Sequence, residues 1–167
     1  AIEYTISSQH QERGGWRYSP GQDSDTSVTG WQLMALHSAR MAGLELPEKP
    51  FDLARRWLDF AGGGEHGGLY GYQSPSDISR AMVATGMFCR QLDMVPPSSP
   101  KMIESAELMK RYPIRDNNPD LYYIYYGTLA LYQHQGPIWQ QWNNNLKRIL
   151  PDIQIKSGRL AGSWDLS

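Results

Sequence analysis

Gly14-Gly15-Trp16-Arg17-Tyr18-Ser19-Pro20-Gly21-Gln22-Asp23-Ser24-Asp25 leads into an apolar stretch, and Gly67-Gly68-Leu69-Tyr70-Gly71-Tyr72-Gln73-Ser74-Pro75-Ser76-Asp77 leads into another. Gly15 and Gly68 stand 53 residues apart. The match continues upstream, with Tyr4 12 residues before Trp16 and Trp57 12 residues before Leu69. A Gly-Gly-aromatic turn that recurs at such an interval between apolar segments predicts a stack of helical hairpins.

Outward from these turns the helices follow. Residues 1–8 read as the tail of a first helix. A second starts near Asp25-Thr26-Ser27, where Asp or Ser can cap free N–H groups, and runs through Trp31, Leu33, Leu36 and Ala39 to Gly43. A third, about 50–61, sets Phe51, Ala54, Trp57 and Leu58 against Arg55, Arg56 and Asp59. A fourth is predicted to open at Ser76-Asp77 and to carry Ala81, Met82, Met87, Phe88 and Leu92. Pro96-Pro97-Ser98-Ser99-Pro100 is a stiff connector. A fifth helix, about 101–111, is polar and predicted to face solvent. A turn at Asn117-Asn118-Pro119-Asp120 precedes a sixth, Leu121–Tyr132, and a seventh spans about 137–150. Helices two, four and six are apolar almost all round, whereas three, five and seven are amphipathic. That alternation predicts two layers, an inner set packed side by side and an outer set covering it.

Composition excludes several classes. With 16 basic and 17 acidic residues, a net charge of −1 gives no electrostatic footprint for nucleic acid. No apolar run approaches the ~20 residues of a membrane span. Cys89 is the single cysteine, so no internal disulfide forms and the compartment stays open. No initiator Met or signal pattern stands at Ala1, and the chain stops at Gly162-Ser163-Trp164-Asp165, a further Gly-x-Trp turn. The chain is therefore expected to be an excerpt of a longer polypeptide. Its repeats fall at about 1–47, 48–97 and 98–150, with a further one beginning at 151–167. Its expected partner is the remainder of that polypeptide or a second copy. The tail 160–164 is expected to fold back on helices six and seven or to pack into a second copy.

The Gly-Gly-Trp-x-Tyr-x-Pro turn, the Asp-x-Asp helix start and the repeat length resemble the α/α-toroid superfamily, and within it bacterial prenyltransferase and squalene oxidase repeat proteins. Squalene–hopene cyclases and protein prenyltransferase β subunits belong to the same group. The resemblance implies an all-α partial toroid of about three helical hairpins in two layers. The cyclases' Gln-Trp motif is matched by Tyr4-Thr5, Gln9 and Gly14-Gly15-Trp16, with Thr5 in an aliphatic position. In the second copy Trp57-Leu58 matches, but Gly62 replaces Gln and Leu69 replaces Trp. The third copy, Ile149-Leu150, Gln154 and Gly162-Ser163-Trp164, has a longer spacer.

The catalytic sets of that superfamily are incomplete. The cyclases' Asp-x-Asp-Asp-Thr acid corresponds to Gln22-Asp23-Ser24-Asp25-Thr26. One alignment puts Ser24 at the acid; the other keeps Asp25 there but puts Thr26 at the last Asp. A carboxylic acid strong enough to protonate an alkene needs its neighbours, so Asp23 and Asp25 are candidates only if the protein is active. Otherwise Asp25 caps the second helix and Asp23 complements its dipole. The prenyltransferase zinc set requires Asp, Cys two residues on, and a distal His; Asp25 or Ser27 occupies the Cys position. His10, His37, His66 and His134 have no metal-ligand spacing, the thioester motif is missing, and no cofactor motif is present.

The aromatics are the remaining binding candidates. Trp16, Tyr18, Trp31, Tyr70, Tyr72, Asp77, Tyr122, Tyr123 and Tyr126 lie at the turns or the starts of predicted inner helices. Such rings stabilise cations, hold an isoprenoid chain or a sugar, or fill the centre of the fold. The function expected is a repeat domain with an apolar-aromatic surface for a ligand or protein segment. The alternative is a triterpene cyclase-like enzyme acting on a terpenoid or prenyl substrate and completed by further repeats.

Overall fold

The computed structural model describes residues 1–115 and 119–164. They form seven helices: α1 (Ile2–Ser7), α2 (Thr26–Met41), α3 (Lys49–Ala61), α4 (Arg80–Leu92), α5 (Pro100–Arg111), α6 (Leu121–His134) and α7 (Gly136–Ile153). One element was not foreseen. Gly62–Gly63 (β1) pairs antiparallel with Leu69–Tyr70 (β2), a two-residue ribbon that ties the end of α3 to the second turn. Asn117 and Asn118 of the expected 117–120 turn lie outside the described residues.

α4 sits between α2 and α6. Gly30 of α2 packs on Thr85 and Cys89 of α4. Phe88 of α4 meets Tyr126 of α6, and Gln91 Nε2 donates to the Ala130 carbonyl at 2.9 Å. The contacts advance together along the three helices, from Ser27–Tyr122 to Met34–Tyr125 and from Phe88–Tyr126 to Gln91–Ala130. All three therefore run the same way. α3 packs on α2, α5 on α4 and α7 on α6. All-round burial holds only for α4, where Met82–Gln91 is buried without a break. α2 and α6 each keep an open side, and Trp31 and Tyr125 are both 42% exposed there. α5 faces inward on one side, burying Met102, Ser105, Ala106 and Met109, rather than lying wholly in solvent.

Two apolar clusters hold these helices together. One joins Trp16, Leu33, Leu36, Phe51 and Trp57; the other joins Met87, Met109, Tyr123, Leu131 and Trp142. Burying each large side chain contributes about 1.5–3 kcal/mol. α2, α4 and α6 share one start. Asp25, Ser79 and Asp120 each accept, through a side-chain oxygen, the N–H three residues on, at Val28, Met82 and Tyr123. α4 thus opens three residues later than Ser76-Asp77 suggests. Asp77 instead receives the N–H groups of Gln73 and Ser74, closing its own turn, and Ile78 pairs in extended form with Gly71.

The caps also reset the repeat. Asp25 and Ser79 are 54 residues apart, and the centres of the antiparallel bridges Trp16–Asp25 and Gly71–Ile78 are separated by that same interval. In this register Trp16 matches Tyr70 rather than Leu69, and both rings are buried. Tyr18 matches Tyr72, and Asp23 matches Asp77. Gly14 matches Gly68. A Cβ on Gly14 would lie 2.0 Å from the Leu53 carbonyl oxygen of α3, and one on Gly68 would lie 2.1 Å from that of Lys101 in α5. Each turn thus presses a bare Cα against the outer helix that follows it.

Candidate functional site

The first candidate is an aromatic group on the open side of α2 and α6. Trp31 stacks on Tyr125, with centroids 5.4 Å apart and planes 22° apart. Tyr126 lies edge-on beneath both, 5.3 Å from Trp31 and 5.2 Å from Tyr125. Tyr122 meets Trp31 at 6.4 Å and anchors its hydroxyl on Ser27 at 2.8 Å. Tyr122, Tyr125 and Tyr126 share one helix face because residues three and four apart are neighbours. Tyr126 is fully buried, and burial pushes its phenol far above the ordinary range. The rings present an apolar, uncharged platform with its lower layer fixed in the core.

The second candidate is the acidic turn. Asp25 is buried. Its Oδ1 accepts the Val28 N–H at 2.7 Å, and its Oδ2 accepts the Tyr72 hydroxyl at 3.2 Å. Arg17 bridges the two carboxylates, with Nε 3.7 Å from Asp25 and Nη1 3.3 Å from Asp23. Burial pushes the Asp25 carboxyl above its ordinary value, against the opposing pull of Val28, Tyr72 and Arg17. Asp23 is held below its ordinary value, first by the Ser24 N–H and then by Arg13 and Arg17. Tyr72 is pushed up to about 12, by burial and then by the Asp25 charge. A shallow cleft of about 420 Å³ is lined by Arg17, Tyr18, Ser19, Gln22 and Asp23, and Asp25 is not part of its wall.

The structure therefore splits the sequence candidates into three groups and leaves Asp77 by itself. Trp31, Tyr122 and Tyr126 come together, and Tyr125 completes their stack. Sequence reasoning left Tyr125 out of its binding set, although its spacing from Tyr122 carries the signal. Tyr18, Asp23, Asp25 and Tyr72 form the acidic turn. Trp16, Tyr70 and Tyr123 are core rings. Trp16 Nε1 donates to the Thr5 carbonyl at 2.6 Å, Tyr70 receives Arg90 Nε at 3.2 Å, and Tyr123 donates to the Tyr112 carbonyl at 2.8 Å. Asp77 closes its own exposed turn. Among the described residues no three His, Cys, Asp or Glu side chains converge so as to hold a metal ion. Cys89 is buried in α4, and burial lifts its thiol to about 12, far from a reactive thiolate. No helix among the described residues is long and apolar enough to cross a membrane. No protein-family model and no curated protein matches the chain.

Proposed function

We propose that this chain is part of an α/α-toroid scaffold whose inner surface binds an extended apolar ligand of isoprenoid character. The carrying observation is the stack of Trp31 on Tyr125, two large rings left in solvent above a buried tyrosine. Exposed aromatic surface on a rigid base is a binding surface, because its lower layer needs no ordering when a ligand arrives. No ionised group takes part in the stack, which suits a hydrocarbon chain better than a charged one. Titration with farnesol, followed by tryptophan fluorescence, tests the reading. Saturable binding that Trp31→Ala abolishes, with the helical circular dichroism unchanged, is expected. Binding of a short cellulose oligosaccharide in place of farnesol would assign the stack to sugars, and binding of neither would refute a small-molecule role.

A second reading, a terpenoid enzyme completed by further repeats, draws on Asp23 and Asp25. Their carboxyls are pushed apart around one arginine, the pattern that assigns acid and base roles elsewhere. The complete burial of Asp25 and its use as a helix cap favour the scaffold.

A further inference from the structure

The last turn of the chain repeats the internal bonds that close the first. Gln9 Nε2 donates to the Gly14 carbonyl at 2.7 Å, and Gln154 Nε2 donates to the Gly162 carbonyl at 2.7 Å. The next residue, His10 or Ile155, exchanges backbone bonds with the Gly-x pair. His10 N donates to Gly15 O and Gly14 N to His10 O; Ile155 N donates to Ser163 O and Gly162 N to Ile155 O. The indole then donates to the carbonyl four residues before the glutamine, Trp16 to Thr5 at 2.6 Å and Trp164 to Leu150 at 2.8 Å. Gly14 and Gly162 share a left-handed backbone, with φ of 91° and 90°. The three extra residues of the last spacer are absorbed in the loop around Gly158 and alter none of these bonds.

What differs is the cover. At the first turn the Gln9 amide makes a second bond, 2.9 Å to the Pro50 carbonyl in the first turn of α3. Gly14 abuts the Leu53 carbonyl, and the Trp16 N–H donates to Thr29 Oγ1 of α2 at 3.0 Å. Trp16 is left 2% exposed. At the last turn, among the described residues, the Gln154 amide has no second acceptor and the backbone N–H of Trp164 has no acceptor. Among the described residues nothing lies within 4 Å of a Cβ on Gly162, and Trp164 is 40% exposed. The Ser163 N–H already donates to Leu160 O, where the Gly15 N–H goes to Ser24 Oγ, so that one bond is not vacant. Beside the vacancies runs an apolar groove of about 410 Å³, walled by Leu121, Ile124, Tyr125, Leu129, Leu146, Leu150 and Trp164, with Thr128 also in its lining.

We infer that the last turn and this groove are a docking site for a helical hairpin of the α2–α3 kind. Its inner helix would lie along the groove on α6. Its outer helix would present the carbonyls of a proline-led first turn to Gln154 and Gly162. The first turn carries the occupant's chemistry, since every vacancy named here is filled there by α2 or α3. The inference does not rest on the ligand assigned to the aromatic stack, although Tyr125 belongs both to that stack and to the groove wall.

The test adds a synthetic peptide spanning Gln22–Ala61 to the intact chain and follows Gln154 and Trp164 by NMR. The expected result is a one-to-one, saturable shift of the Gln154 side-chain amide and the Trp164 indole. Leu146→Asp in the half-buried groove should weaken binding at least tenfold, and Gln154→Leu several-fold, both without loss of helical signal. Shifts confined to other residues, no shift at all, or equal affinity in Leu146→Asp would overturn the inference. So would the same resonances moving when the chain is concentrated without peptide, since a second copy would then be the occupant.

Discussion

The first and second turns hold the same register and solve the same problem with different chemistry. In the first, the turn reaches out to its outer helix: Gln9 donates to Pro50 of α3. In the second, where Gly63 replaces the glutamine, the outer helix reaches back: Glu104 of α5 accepts the N–H groups of Glu65, His66 and Gly68. Ser105 of α5 adds a bond to the Gly68 carbonyl at 2.6 Å. The buried rings follow suit. Trp16 bonds directly to Thr5, whereas Tyr70 bonds to Arg90, which bonds in turn to Asp59, the residue matching Thr5. A repeat can lose its motif residue and keep its architecture, provided another side chain satisfies the same backbone groups.

The largest expected effect tests whether Trp16 and Tyr70 are equivalents. Both are buried among helices, Trp16 at 2% and Tyr70 at 0% exposure. Trp16→Ala and Tyr70→Ala should each cost about 3–5 kcal/mol in urea unfolding. Leu69→Ala, at the position matched by the 53-residue interval, should cost clearly less because Leu69 is only half-buried. A larger loss at Leu69 than at Tyr70 would break the pairing.

A smaller effect sharpens it. Under the 54-residue register Gly14 pairs with Gly68, and under the 53-residue interval with Gly67. Gly14→Ala and Gly68→Ala drive a methyl into a backbone carbonyl, which should cost about 1–3 kcal/mol or more. Gly67 has open space around it and only a left-handed backbone, so Gly67→Ala should cost about 1–2 kcal/mol. Equal thermal shifts for Gly67→Ala and Gly68→Ala would remove the physical basis of the register.

These pairs show what the sequence made legible. Seven helices, the Asp25 cap and the return of Trp164 to α7 follow from local patterns: apolar periodicity, a capping side chain, a Gly-x-Trp turn. The register was misread by one residue because Gly14-Gly15 and Gly67-Gly68 align by identity, while the fold aligns the residues that touch the outer helix. Glu104 was invisible because it acts across some forty residues of chain. Asp77 looked like a helix start but is consumed by its own turn. The open sides of α2 and α6 were hidden for another reason. An apolar helix reads the same whether its rings are covered by protein or left to water, and Trp31 gave no sign of which.

The smallest effect concerns the one polar difference between the caps, Asp25 in the first turn and Ser79 in the second. Serine caps a helix about as well as aspartate, so Asp25→Ser should change stability near neutrality by only a few tenths of a kcal/mol. The pH dependence should change more clearly. Burial raises the folded-state value of Asp25 above its ordinary 3.8, so the folded chain holds this proton more tightly than the unfolded chain. The stability due to Asp25 is therefore fully present below 3.8 and is lost as pH rises through the raised value. Asp23 has the opposite sign: its value is lowered, and its contribution is lost as pH falls. The destabilisation caused by Asp25→Ser should accordingly be larger in acid than near neutrality, whereas that of Asp23→Ser should be larger near neutrality. Urea midpoints for both variants across this range provide the measurement. A cost of Asp25→Ser that grows with pH would mean that Arg17 and the Val28 N–H outweigh burial, leaving Asp25 an ordinary ionised cap and removing the contrast on which the enzyme reading depends.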